Sequence, residues 1–221
     1  MKSYGKLALG IIATWFIVVL STSALHLFRT DANHAGVAYA VAALAPVALF
    51  SVWFAASEKF QELVFSLNPR TLTAVQSWRI FGFLFLLLAA NQALPAIFAV
   101  PAAYGDVFIG LTAALVAWKL ATPEHRTFYI FWQGLGLTDL IMTIILGSTA
   151  PLLSPGGPSM NVMTQLPLSL IPTFFTPLLL IFHVASIAQA RQWQTQRQTQ
   201  YREHLPASAK TGPASRLLGR R

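Results

Sequence analysis

Cysteine is absent from the 221 residues, which excludes disulfides, thiolate metal sites, iron–sulfur clusters and cysteine nucleophiles together. Charge is scarce as well. Only 10% of residues are Asp, Glu, Lys or Arg, against about a quarter in a soluble domain, too few to solvate a globular surface. Three chemical signatures are also missing: the Gly-x-Ser-x-Gly nucleophile elbow, the His-Glu-x-x-His zinc helix and the phosphate-binding loop. Paired-histidine haem ligation is poorly served, since His26 and His183 fall toward opposite ends of their helices. No enzyme activity, cofactor or metal is therefore expected.

What is abundant is apolar. Hydrophobic residues make up 55% of the chain and the mean hydropathy is +0.59. A helix needs about 20 mostly apolar residues to cross a bilayer core, and six runs meet that length: 7–28, 36–56, 78–100, 102–121, 128–148 and 166–187. Alternation of period two is absent from them, which argues against a membrane β-barrel. The expected fold is all-α, a polytopic integral membrane bundle of six transmembrane helices over 1–188, followed by a basic, partly disordered tail over 189–221.

The formal charge of +8 raises nucleic acid as a partner until its distribution is considered. With the N-terminus inside, 14 of the 15 basic residues lie on the inner side, and Arg29 alone lies outside. Such asymmetry is the positive-inside signature, so no nucleic acid is needed and both termini are expected in the cytoplasm of a bacterial inner membrane. Trp53, Trp78, Trp118, Trp132 and Trp193 then fall near the inner interface, where indole rings settle. A cleavable leader is the alternative for the first run, through Lys2, Lys6 and Ser21-Thr22-Ser23-Ala24. The apolar stretch continues through Leu25, Leu27 and Phe28 to full span length, so a retained span is expected.

The connections are short. Pro101 alone separates the third and fourth runs, and the longest outer loop, 149–165, carries no charge. On the inner side Phe60, Leu63, Val64 and Leu67 recur at i, i+3, i+4 and i+7, the pattern of an interfacial amphipathic helix extending span two. Asn68-Pro69 breaks it, with Thr71 or Thr73 as candidate caps for the start of span three. The tail carries seven basic residues against Glu203, favouring an anionic inner leaflet, and is expected to be helical to about residue 203. Near the outer side, His26, Asp31 and His34 form only a weak metal pattern.

Ionisable residues inside a span are functional candidates by default. Asp139 lies 11 residues into span five, about 17 Å deep at 1.5 Å per residue, on one face with Trp132, Gly136 and Thr143. At that depth it is expected to be the neutral acid unless a cation or donor compensates. Asp106 is either an N-cap for span four or a functional site, and it points inward in both readings because its face continues through the small residues Gly110, Ala113 and Ala117. His183 shares a face of span six with Pro172, Thr176 and Leu179, most simply as an interhelical hydrogen-bond partner. Asn91 and Gln92, just before Pro95, are candidate partners for either aspartate. Gln133 points about 120° away from Asp139. Arg79 is expected to snorkel to the inner phosphates. Asp106, Asp139 and His183 are expected to step across the membrane with gaps of roughly 7 and 12 Å, bridged by Thr143, Thr176, Asn91 and water.

These residues point to a small transporter or permeation protein for a proton, cation or small cationic solute, with kinks at Pro95 and Pro172 shaping an outer-facing cavity. The alternative is a non-catalytic membrane subunit or scaffold that docks a partner membrane protein or a second copy of itself.

Overall fold

The computed structural model describes residues 2–29 and 37–204. Asp31, His34 and the tail beyond 204 lie outside the described residues. Every regular element among those described is helical, and six helices are long and apolar enough to cross a membrane: Lys6–Ala24, Val37–Ala56, Pro69–Ala90, Ala96–Lys119, Pro123–Leu153 and Ile171–Gln194.

In chain order, α1 (Lys2–Ala24) and α2 (Val37–Ala56) precede a short α3 (Glu58–Ser66). The third long helix is composite. It opens as α4 (Pro69–Ala74), tightens into a 3₁₀ segment over Val75–Phe83, and relaxes into α5 (Leu84–Ala90). Two uninterrupted helices follow, α6 (Ala96–Lys119) and α7 (Arg126–Leu153), and then a π-helical turn at Ile171–Phe175 leads into α8 (Thr176–His204). α6 lies at the centre, against the 3₁₀ segment, α4, α5 and α7, while α8 packs on α7, α2 and α4. α2 buries none of its residues, and α1 meets mainly the π turn, where Phe174 meets Trp15 at a tilt and Phe16 edge-on.

The third and fourth long helices are displaced from where hydropathy puts them. The third begins at Pro69, nine residues before Trp78, and the hairpin turn lies at 91–95 rather than at Pro101. The physical reason is that Thr73 and Gln76 face the interior, as Arg79 does one turn on, so an apolar count begins the helix only after its first polar residues. Pro101 sits inside α6. Pro95 does not kink a helix but stands at the N-cap of α6. Pro172, by contrast, lies within the π turn, the kind of interruption expected of it. Neither Thr71 nor Thr73 caps α4. Asn68 does so, its side-chain oxygen accepting from Arg70 N at 2.9 Å. α3 is a helix in its own right, capped by Ser57, with Leu63 and Val64 buried.

The helix expected in the tail is the continuation of α8. Gln189 anchors it, donating to the carbonyls of Val64 and Leu67, both at 2.8 Å.

Two helices end in the same way. At α1, Leu27 N donates to Thr22 O and His26 N to Ser23 O. At α5, Ala93 N donates to Leu88 O and Gln92 N to Ala89 O. Each is a Schellman pair with a left-handed residue at C′, His26 at φ 59° and Gln92 at φ 54°. Glycine is the residue that takes this conformation without a Cβ penalty. Gln92→Gly is therefore expected to raise stability by up to about 1 kcal/mol, read as a higher melting midpoint in detergent; a fall would mean that the Gln92 side chain contributes more than its backbone costs.

Candidate functional site

The site begins with the 3₁₀ segment. At 3.0 residues per turn, residues three apart eclipse one another, whereas on an α-helix the same spacing drifts by about 60° per step. Thr73, Gln76, Arg79, Gly82 and Phe85 thus form one straight interior line, and all are buried. Trp78, Phe81 and Leu84 lie one position earlier in each triplet and are exposed. Arg79 stands about midway along the composite helix, roughly 17 Å from Pro69 by the rises of its two helix types.

Arg79 does not reach outward to phosphates. Its side chain is 1% exposed, and its guanidinium organises the centre of the bundle. Nε donates to Asp106 Oδ1 at 2.7 Å, and Nη2 is paired with Asp139 Oδ2. Nη1 donates to Gly136 O at 3.2 Å and meets His183 Nε2 at 3.3 Å. The three residues expected to step across the bundle are therefore gathered on one cation. Asp106 is no N-cap, because α6 starts at Ala96 and the carboxylate lies about 15 Å along it. His183 is likewise farther from its helix end than its apolar run implied, because α8 runs on past 187.

Arginine can only donate, and this fixes the direction of a longer chain. His183 Nε2 must accept from Nη1, so the imidazole is the neutral Nδ1–H tautomer. Nδ1 then donates to Gln133 Oε1 at 2.5 Å. Gln133 Nε2 donates to Thr73 Oγ1 at 3.0 Å, and Thr73 donates to Pro69 O at 2.8 Å while meeting the Tyr129 hydroxyl at 2.8 Å. Gln133 and Asp139, on different faces of α7, are thus joined through His183 and Arg79. Gln133, set aside in the sequence by its face, and Tyr129, not singled out there, are both fully buried.

Glycines make room for the charges. A Cβ on Gly105 would fall on the Asp139 carboxyl, one on Gly82 would strike Asp106, and one on Gly136 would lie 2.5 Å from His183 Nε2. At Gly110 the obstacle is backbone, with the Arg79 carbonyl carbon at 2.9 Å. The small-residue seam on α6 therefore faces the 3₁₀ segment.

A cavity of about 410 Å³ opens beside this cluster, lined by Arg79, Asp106, Thr143 and Thr176 among apolar and aromatic side chains. Three of the residues singled out by sequence, Asp106, Thr143 and Thr176, thus share one space. Thr143 Oγ1 is buried there with no hydrogen-bond partner. Asn91 belongs elsewhere, at the exposed hairpin turn, where it donates to Leu87 O at 2.8 Å. Among the described residues no group of three His, Asp or Glu side chains is arranged to hold a metal ion. The place between the two carboxylates is taken by the guanidinium.

A family described as a domain of unknown function (DUF8737) matches residues 34–191, well over half of the chain. The chain belongs to this family. The DUF8737 region contains every member of the Arg79 cluster and leaves α1 before it. No curated protein matches the chain, and no solved structure does.

Proposed function

We propose that this DUF8737 protein is a small inner-membrane transporter or permeation protein for a proton, cation or cationic solute, with both termini in the cytoplasm. The six long apolar helices support the membrane setting. The basic residues support the orientation: with Arg79 removed to mid-span and Arg29 outside, 13 of the 15 still fall on the inner side. Trp78 and Trp132 no longer count toward an inner aromatic belt, since Trp78 lines the cavity and Trp132 is buried, donating to Thr112 Oγ1 at 2.9 Å.

One observation carries the reading. A single buried guanidinium faces two carboxylates, and one of these, Asp106, opens on a cavity. His183 is neutral in this arrangement, so two ionised aspartates leave one negative charge uncompensated. In a low-dielectric interior that charge calls for a proton or a cation. A cation arriving at Asp106 competes with Arg79 Nε, while Asp139, Gly136 O and His183 keep the guanidinium in place. This exchange of counter-charges gives the site both an occupied and an empty state.

The test is cation flux in proteoliposomes, using a pH-sensitive dye for protons and a potential-sensitive dye for other cations. Asp106→Asn and Asp139→Asn each leave Arg79 one carboxylate, so both variants are expected to fold with balanced charge and to lose at least tenfold in flux. Full flux in both folded variants refutes the reading. A second reading, a subunit that docks a partner membrane protein, rests on α2, none of whose residues is buried. Co-purification of a stoichiometric partner, combined with full flux in both variants, would favour it.

A further inference from the structure

We propose that the cavity beside Asp106 binds an organic monocation with an aromatic or branched apolar body, rather than an inorganic ion. The inference rests on the transport reading above and narrows its substrate class.

The sign of the ligand follows from the hydrogen bonds of Arg79. Four of its five N–H groups are engaged by Asp106, Gly136 O, His183 and Asp139, so the cation is not free to recognise an anion. Asp106 is different. Arg79 holds its Oδ1, and the residue lines the cavity. With Arg79 shared between Asp106 and Asp139, the cluster beside the cavity carries the excess negative charge.

The chemical class follows from the walls. Phe16, Trp78, Phe81, Phe85 and Phe175 contribute five aromatic rings, and aromatic faces attract a desolvated cation. The side-chain oxygens are those of Asp106, Thr143 and Thr176, too few for a hard metal ion that takes six to eight. A volume of about 410 Å³ falls in the range of small-molecule sites and far exceeds one bare ion.

The cavity also lies between the two departures from α-helical geometry. The 3₁₀ segment supplies Trp78, Phe81 and Gly82, and the π turn supplies Ile171 and Phe175. Trp78 and Phe175 stack across this gap with ring centroids 5.6 Å apart and planes at 22°. Interrupted helices around a mid-bundle site are a recurring way to expose a charge to a ligand.

The experiment is calorimetric titration of the purified full chain in detergent with benzyltrimethylammonium, a cation that cannot lose a proton. Its neutral carbon isostere, neopentylbenzene, and sodium chloride serve as controls. Saturable binding of benzyltrimethylammonium is expected, weakened at least tenfold in Asp106→Asn and several-fold in Phe175→Leu. Neopentylbenzene is expected to bind wild type and Asp106→Asn alike. No saturable binding to folded wild type, equal affinity in wild type and Asp106→Asn, or tighter binding of sodium would each overturn the inference. The transport reading fails separately. Should proton or sodium flux depend on Asp106 while benzyltrimethylammonium does not bind, the site carries a small ion and only the substrate class is wrong. Should flux be independent of both aspartates, the transport reading falls whatever binds.

Discussion

Arg79→Gln is expected to cost about 3–5 kcal/mol of stability, the range for removing one partner of a buried ion pair. At about 2–4 °C per kcal/mol for a chain of this length, the melting midpoint in detergent should fall by about 6–20 °C. The loss is large because the guanidinium serves four elements at once: α6 through Asp106, α7 through Asp139 and Gly136 O, α8 through His183, and its own 3₁₀ segment. Glutamine leaves two carboxylates facing each other with no cation between them. Arg79→Lys should be nearly as damaging, since one ammonium cannot reproduce a planar fork that spans both carboxylates. Combining Arg79→Gln with Asp106→Asn and Asp139→Asn removes every unpaired charge and should recover a large part of the loss, because sites that share partners do not add. A melting midpoint for Arg79→Gln within about 3 °C of wild type would put the guanidinium in a solvated place, as an arginine snorkelling to phosphates would be.

The difference between those two places for Arg79 shows how far the sequence could be read. Six apolar runs were visible because a span needs a set length, and each has its long helix. The boundaries were less visible wherever one face of a span is polar. An apolar count started the third span at Trp78, since Thr73 and Gln76 interrupt the run from the side that turns inward. That shift of nine residues put Arg79 at a helix end, placed the hairpin at Pro101 and made Asp106 look like a cap. Depths measured from those ends then spread Asp106, Asp139 and His183 apart. The missed signal was periodicity. Thr73, Gln76, Arg79 and Gly82 recur at three residues without drift, which an α-helix cannot keep on one face but a 3₁₀ segment can. Asp106, Asp139, His183, Thr143 and Thr176 were legible because polar groups in apolar runs stand out one by one. Gln133 was set aside by helical-wheel geometry that was correct for α7 alone. Its link to the site passes through α8, and no single-helix projection contains it.

Two glycines in α7 should respond to the same substitution with opposite sign. A Cβ on Gly134 would meet nothing within 4 Å, so Gly134→Ala gains the helix propensity of alanine, about 0.8–1 kcal/mol in an exposed helix. One on Gly136 would meet His183 Cε1 and Nε2 and would come within 3.3 Å of Arg79 Nη1. Neither group can step aside cheaply, since His183 is fully buried and held at Nδ1 by Gln133, and Arg79 is fixed by both carboxylates. Gly136→Ala must therefore overpack the centre, at about 1–3 kcal/mol, and break the contact between Arg79 and His183 as well, at about 1 kcal/mol more. Its melting midpoint should drop while that of Gly134→Ala rises. The same steric argument makes Gly105→Ala worse than either, because its methyl would occupy the position of the Asp139 carboxyl. Equal responses at 134 and 136 would mean that His183 does not lie against α7 at Gly136. The close approach of α7 and α8 that joins Gln133 to Arg79 would then have to be abandoned.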